Sequence, residues 1–288
     1  MGARSYLLTG LVALAAGCGT ASPAVPSGPA AVSLRVTRGF GADIVATARA
    51  APGQSAMLAL RRNATVDTAY GGRFVTAVNG VKSDKGAGWD WFYTVNGIDP
   101  GVGAADMHLH PGDREWWDYR YWGDFVGVPA VIGAWPEPFV HGLDGHPPTV
   151  SVSGPACADT LGGALRADGA RLGGAGSFTI HVGTFAEQAA VLDNPKRWGE
   201  LVAVHDGAVS VYSGPKGWRP QPDAAAVIVA REPDRIPGRS YDLIVAGRDT
   251  DAACAAAKAL AGDTGLVRDA YAVALDASGD VVAWGGRA

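Results

Sequence analysis

The 288-residue sequence predicts an α+β protein in two units: a mixed sheet over one helix, then a mixed α/β unit. Three observations predict it. Short alternating runs in the first half are punctuated by Asn-Gly and Pro-Gly turns, the mark of antiparallel strands. A single helical pattern, "PGQSAMLALRRN", interrupts them. From about Thr149 the strands become more continuously apolar and alternate with helical patterns, as in α/β layers. The length suits two cores rather than one.

The amino terminus comes before either unit. Arg4 precedes the apolar run Leu7 to Ala16, which is too short to span a bilayer comfortably, and small residues then lead into Cys18. This reads as a signal peptide over 1–17. "LAAGC" resembles a bacterial lipobox, which implies diacylglycerol on Cys18 and an extracytoplasmic protein anchored to the cell membrane. Residues 18–31, "CGTASPAVPSGPAA", have no apolar periodicity and read as a tether. Cys157 and Cys254 remain as the other two cysteines; in an exported chain they are expected to form one disulfide.

The first unit is placed at 32–126. "VSLRVTR" and "DIVATAR" form a hairpin. "PGQSAMLALRRN" follows as a helix, with Arg61 and Arg62 in its last turn, where cations suit the dipole. "GRFVTAVNGV" and "WDWFYTVNG" are strands closed by Asn79-Gly80 and Asn96-Gly97. "DMHLH" and "EWWDYRYW" are two more, joined at Pro111-Gly112-Asp113. The succession "GRFVTAVNGV", "GWDWFYTVNG" and "HPGDREWWDY" resembles the transcobalamin carboxy-terminal-like domain of bacterial surface proteins. The resemblance implies a β-grasp fold over roughly Val32 to Phe125, and a domain that closes over one face of a corrinoid with aromatic and backbone contacts. Residues 127–148 resemble the extension of actinobacterial lipoproteins of this kind and serve as extension or linker.

The second unit, 149–288, is a mixed α/β domain with no family assigned from its residues. "SFTIHVGTF" is a strand, and the Thr184 to Glu187 spacing is a capping box opening a helix. "LVAVHDGAVSVY" is a hairpin turning at Asp206-Gly207. "AAAVIVAR" and "YDLIVAG" are buried-type strands. Asp249 or Thr250 caps "DAACAAAKALAG", and "YAVALDASGDVVAW" is a last hairpin.

Five of the nine Trp lie between residues 89 and 122. Period two puts Trp89, Trp91, Tyr93 and Val95 on one face of their strand. In the next strand Trp117, Tyr119 and Tyr121 oppose Trp116, Asp118, Arg120 and Trp122. Two readings stand: aromatic core, or an exposed platform for a flat ligand, each ring covering about 150–250 Å². The platform is assigned to Trp91, Tyr93, Trp117, Tyr119 and Tyr121, with the charged face as a rim or interdomain surface. The expected ligand is a corrinoid such as cobalamin, and the expected partner a membrane importer. The competing class is a surface module binding a glycan or a protein.

A formal charge of −4 with interspersed signs gives no footprint for nucleic acid. No nucleophile elbow, P-loop or His-Glu-x-x-His occurs, so neither catalytic residues nor a required cofactor are assigned and an enzyme is not expected. No metal site is assigned. Asp106, His108 and His110 alternate at a spacing able to reach a metal, which leaves a metal-assisted hydrolase as the weakest of the three classes.

Overall fold

In the computed structural model, Met1 and residues 31–125 and 127–287 are described. The expected signal peptide beyond Met1, the expected lipidation at Cys18 and the expected tether through residue 30 lie outside the described residues. The first unit runs β1 (Val32–Arg38), β2 (Asp43–Ala50), α1 (Ala56–Asn63), β3 (Val66–Ala69), β4 (Phe74–Val78), β5 (Val81–Lys82), β6 (Trp89–Val95) and β7 (Arg114–Tyr121). Its main sheet has the order β2-β1-β7-β6. β1 and β7 pair in parallel, with antiparallel neighbours on either side. Alternation does the work here: Val32, Leu34 and Val36 point into the core that α1 closes with Met57, Ala59 and Leu60. Ser55 caps α1 by accepting a hydrogen bond from Leu58 N at 3.2 Å.

Two parts of the expected strand order change. The "FVTAV" run is β4, but it joins β3 and β5 in a separate three-stranded sheet instead of the main one. "DMHLH" is not a strand. Its alternation holds, with Met107 and Leu109 buried, yet its backbone bonds go to the entry of α1, between Gly53 N and Leu109 O, Ala56 N and Met107 O, and Leu109 N and Gln54 O. A segment that satisfies its carbonyls and amides on a helix entry has no ladder left to offer a sheet.

The second unit runs β8 (Thr149–Ser153), α2 (Ala158–Ala167), β9 (Arg171–Leu172), β10 (Phe178–Thr184), α3 (Ala189–Leu192), α4 (Pro195–Trp198), β11 (Val202–His205), β12 (Ala208–Tyr212), β13 (Trp218–Pro220), β14 (Ala226–Arg231), β15 (Tyr241–Gly247), α5 (Thr250–Gly262), β16 (Val273–Leu275) and β17 (Val281–Trp284). A seven-stranded sheet of order β17-β16-β14-β15-β10-β8-β9 carries the residues that α2 and α5 cover on one face. A second apolar cluster, joining Val202, Val204, Val209 and Val211 to Val227, Val229 and Ile244, fills the other face under β11 and β12. Asp249 caps α5 through Ala252 N at 2.8 Å. The Thr184 and Glu187 capping-box bonds form, although the helix behind them is only Ala189–Leu192. α2 was not expected from sequence, because Gly162 and Gly163 sit in its middle and cost helical propensity. It holds through burial of Leu161 and Leu165 against the sheet and α5.

Cys157 and Cys254 are bonded across 97 residues of chain, tying the start of α2 to α5. Closing so long a loop restricts the unfolded chain, so Cys157→Ser with Cys254→Ser should lower the unfolding free energy in urea by roughly 3–5 kcal/mol. A loss below about 1 kcal/mol would show that the bond contributes little beyond what packing already supplies.

The two units share a continuous core, and residues 127–148, expected as extension or linker, form the wedge that joins them. Trp135 and Phe139 of that segment meet in an edge contact, and Phe139 packs edge-on against Phe178 and Tyr241 of the second sheet. The Tyr241 hydroxyl donates to Val131 O at 2.9 Å. Asn96 Nδ2 donates both to Gly142 O at 2.7 Å and to Asp113 Oδ1 at 2.8 Å. The Asn-Gly and Pro-Gly-Asp motifs are thus structural ties as well as turns.

Candidate functional site

The antiparallel register of β6 and β7 places Trp89 opposite Tyr121, Trp91 opposite Tyr119, Tyr93 opposite Trp117 and Val95 opposite Glu115. Adjacent side chains on one face of a sheet interact pairwise, and here they form an aromatic ladder. Tyr93 stacks on Trp117 with centroids 4.9 Å apart, and Trp89 on Tyr119 at 5.5 Å. The Trp91 ring lies 5.4 Å from Tyr119.

The ladder faces inward. Trp91 and Trp117 are 5% and 3% exposed and belong to the core beside α1 and β1. β5 lies over Trp91, whose indole donates to Val81 O at 3.0 Å. Trp117 donates to Glu115 Oε1 at 2.6 Å. The platform expected from Trp91, Tyr93, Trp117, Tyr119 and Tyr121 is corrected in this respect. Both Trp are core residues, because α1 and the β3-β4-β5 sheet occupy the space above them; Tyr93, Tyr119 and Tyr121 keep partial exposure.

What remains accessible is a groove of about 250 Å³ at the free edge of β6, lined by Arg73, Phe74, Trp91, Tyr93, Asp99 and Trp117 among others. Its floor is aromatic and its rim is rich in acceptors. The Tyr93 hydroxyl donates to Val102 O at 2.6 Å, and burial holds this phenol well above its ordinary pKa. Asp99 accepts from Gly101 N at 3.0 Å, and burial raises its pKa. Asp90 accepts from Ser83 Oγ at 2.6 Å and Trp91 N at 2.9 Å. Phe74, Asp90 and Asp99 were not singled out from sequence. Phe74 sat unremarked in the quoted "GRFVTAVNGV" strand, and Asp99 follows the Asn-Gly turn that aims it at the groove.

The opposite face is the interdomain surface, as its mixture of charge and bulk suggested. Trp116 packs 5.0 Å from Tyr271 and donates to Thr37 Oγ1 at 2.7 Å. Asp118 accepts from Thr37 Oγ1, Gly41 N and the Tyr271 hydroxyl. Its complete burial outweighs these bonds and raises its pKa to about 6. The Arg120 guanidinium lies 3.8 Å from the Phe92 ring centre and donates to Phe125 O at 2.7 Å. These groups are spent on joining the units.

His108 and His110 do not converge on a common point with a third ligand. His108 borders a shallow hollow with Gln54, Ser55 and Arg62, whereas His110 lies against Asp113 at 3.9 Å. Among the described residues no group of three or more His, Cys, Asp or Glu could hold a metal ion. On the second sheet, Ser153 Oγ lies 3.1 Å from His181 Nδ1, and His181 Nε2 lies 3.8 Å from Asp242. Arg231 holds Asp242 Oδ2 with Nε at 3.0 Å and Nη2 at 2.9 Å, and Oδ1 stands 3.8 Å from His181 Nε2, beyond hydrogen-bond reach, so the carboxylate does not orient the imidazole.

Residues 53–120 match a family described as a domain of unknown function, DUF4430. The match begins at the entry of α1 and ends in β7, so it includes the aromatic ladder up to Arg120 and all the lining residues of the groove. No curated protein matches the chain. Among solved structures, a "putative metal binding protein" from Ruminococcus gnavus ATCC 29149 is 16% identical, with 32% of this chain and 96% of that chain covered and a TM-score of 0.27.

Proposed function

We propose that this chain is an extracytoplasmic binding protein, held at the membrane by lipid on Cys18, whose groove beside β6 takes the edge of a flat small ligand for transfer to a membrane importer. A corrinoid is the leading ligand. The observation that carries the reading is the pairing of an aromatic floor, Trp91, Tyr93 and Trp117, with acceptors at Asp90 and Asp99 in one concave place. Apolar hollows with a few convergent polar groups are the usual form of small-molecule sites. At about 250 Å³ the groove lies just under the roughly 300–1,000 Å³ that encloses a whole drug-sized ligand. It therefore grips a projecting part, and the amide-bearing rim of a corrin offers N–H donors suited to the carboxylates. The role needs no catalysis and no resident cofactor.

Mature protein mixed with cyanocobalamin or cobinamide and passed through a sizing column should carry the corrin absorbance with it, with a shifted spectrum. Phe74→Ala, at the half-buried rim, should weaken binding at least several-fold while leaving the melting transition close to wild type. Absence of co-elution for both corrinoids at tens of micromolar would overturn the corrinoid assignment. Unchanged affinity in Phe74→Ala would overturn the groove.

A further inference from the structure

The seam between the two units holds a second cleft, of about 350 Å³, that shares only Asp99 with the aromatic groove. Its lining comes from 99–101, 127–129, 196–199 and 232–237, so both units and the wedge build it. That volume falls inside the roughly 300–1,000 Å³ of small-molecule sites, which concentrate at joints between domains. Two close approaches shape the walls. Gly199, at φ 75°, stands where an added Cβ would lie 2.8 Å from Gly127 O and from Pro129 Cδ, and a Cβ on Gly101 would lie 2.9 Å from Pro237 Cγ. Few large apolar side chains are exposed among the described residues, yet two of them, Val102 at 50% and Ile236 at 48%, adjoin that contact between Gly101 and Pro237.

The half-buried Trp198 forms one wall. The Arg197 and Arg231 guanidiniums each lie 4.7 Å from its ring centre, which fixes the indole in place. Arg231 is also held on Asp242. Lys196, Arg197 and Arg235, all exposed and all in the lining, meet no carboxylate: among the described residues no ion pair reaches any of the three. Arg235 Nη2 donates to Arg197 O, which keeps those two basic residues together. The two acids of the lining are turned to backbone amides instead. Asp99 accepts from Gly101 N at 3.0 Å, and Glu232 Oε1 accepts from Gly238 N at 3.0 Å. Burial raises both pKa values, that of Glu232 to about 7, so the acids carry less than their full charge near neutral pH. The cleft therefore joins an apolar interior to a cationic lip, the complement of an amphipathic anion.

We infer that this cleft binds a small organic acid with an apolar body, its carboxylate held by Lys196 and Arg197 and its body lying against Pro129, Pro237 and the Trp198 side chain. The site does not depend on what the aromatic groove binds.

The test is calorimetric titration of the mature protein, at low and at near-physiological ionic strength, with indole-3-acetate, octanoate and the uncharged indole-3-acetamide as separate probes. Saturable binding is expected for at least one of the acids, weakened by added salt, and about tenfold or more weaker for the amide than for its acid. Lys196→Gln combined with Arg197→Gln, two exposed positions, should weaken binding of the acids about tenfold or more in a protein that melts as wild type does. Gly127→Phe, at a lining position where an added Cβ meets open space, should block the cleft to a similar extent. Phe74→Ala in the groove should leave binding unchanged. Preference for indole-3-acetate or for octanoate identifies an aryl or an alkyl acid. No saturable heat for either acid at millimolar concentration would overturn the inference. So would an amide that binds as tightly as its acid, or unchanged affinity in either cleft variant.

Discussion

Trp117→Ala is expected to destabilise the protein severely, by roughly 3–5 kcal/mol for the lost burial and the residual cavity, and by a further 1–3 kcal/mol because it strands a buried acceptor. The ring is 3% exposed, stacks under Tyr93 and donates its indole N–H to Glu115 Oε1. Glu115 is itself 1% exposed and its second oxygen has no partner among the described residues. Removing the indole leaves that carboxyl with no donor in the core. Chemical denaturation of the variant should show the first unit unfolded or near its limit. A variant that melts within a degree or two of wild type would mean that Trp117 is an exposed ligand contact after all. The contrast with Phe74→Ala matters, since a rim residue and a core residue of the same groove should separate binding from stability.

Stability should also fall as pH rises from about 5 to 8, the reverse of the behaviour of a protein whose carboxylates are held by salt bridges. Burial raises the pKa of Glu115 to about 8, of Glu232 to about 7 and of Asp118 to about 6. It also raises those of Glu200, Asp99 and Asp113. In the unfolded chain these acids release their protons near pH 4. Between that pH and each folded pKa the native state binds more protons than the unfolded state, and the unfolding free energy declines with pH. The contribution is intact below about pH 4 and is lost as pH climbs through 6, 7 and 8 in turn. His141, raised by Glu137, has the same sign: what it adds is present at low pH and disappears as pH passes its folded value. Each group contributes up to about 1.4 kcal/mol per pH unit across its own window, so a drop on the order of 3 kcal/mol or more between pH 5.5 and 8.5 is expected from Glu115 and Glu232 together. Urea unfolding at a series of pH values reads it directly. Glu115→Gln, which keeps an oxygen for the Trp117 indole, should flatten the upper part of the profile. Stability that is level or rises over this range would contradict the buried, neutral state of these acids.

Local chemistry in the sequence was enough to determine the turns and the alternation. Asn96 and Gly97, and Asp206 and Gly207, do adopt positive φ, because these residues tolerate the left-handed region that tight hairpins need. Asp249 caps α5 because a short carboxylate can reach the amides of the first turn. Period two sorted Trp91, Tyr93 and Trp117 from Trp116, Asp118 and Arg120 correctly, since no bulge interrupts the pairing of β6 and β7. Cys157 and Cys254 pair with each other, as expected. Which aromatic face would be exposed was not a local property. It was decided by α1 and the β3-β4-β5 sheet closing over one face and by Tyr271 and its neighbours from the second unit closing over the other. The strand expected at "DMHLH" failed because the α1 entry competed for its backbone, and α2 formed against its two glycines because the sheet and α5 bury its leucines. Arg35, Arg49, Arg114 and Arg268 are far apart in the chain, and they line one cleft only because β1, β2 and β7 align and the second unit folds back beside them. Periodicity reports which side of its own strand a residue occupies; only packing over long sequence separations decides what meets that side.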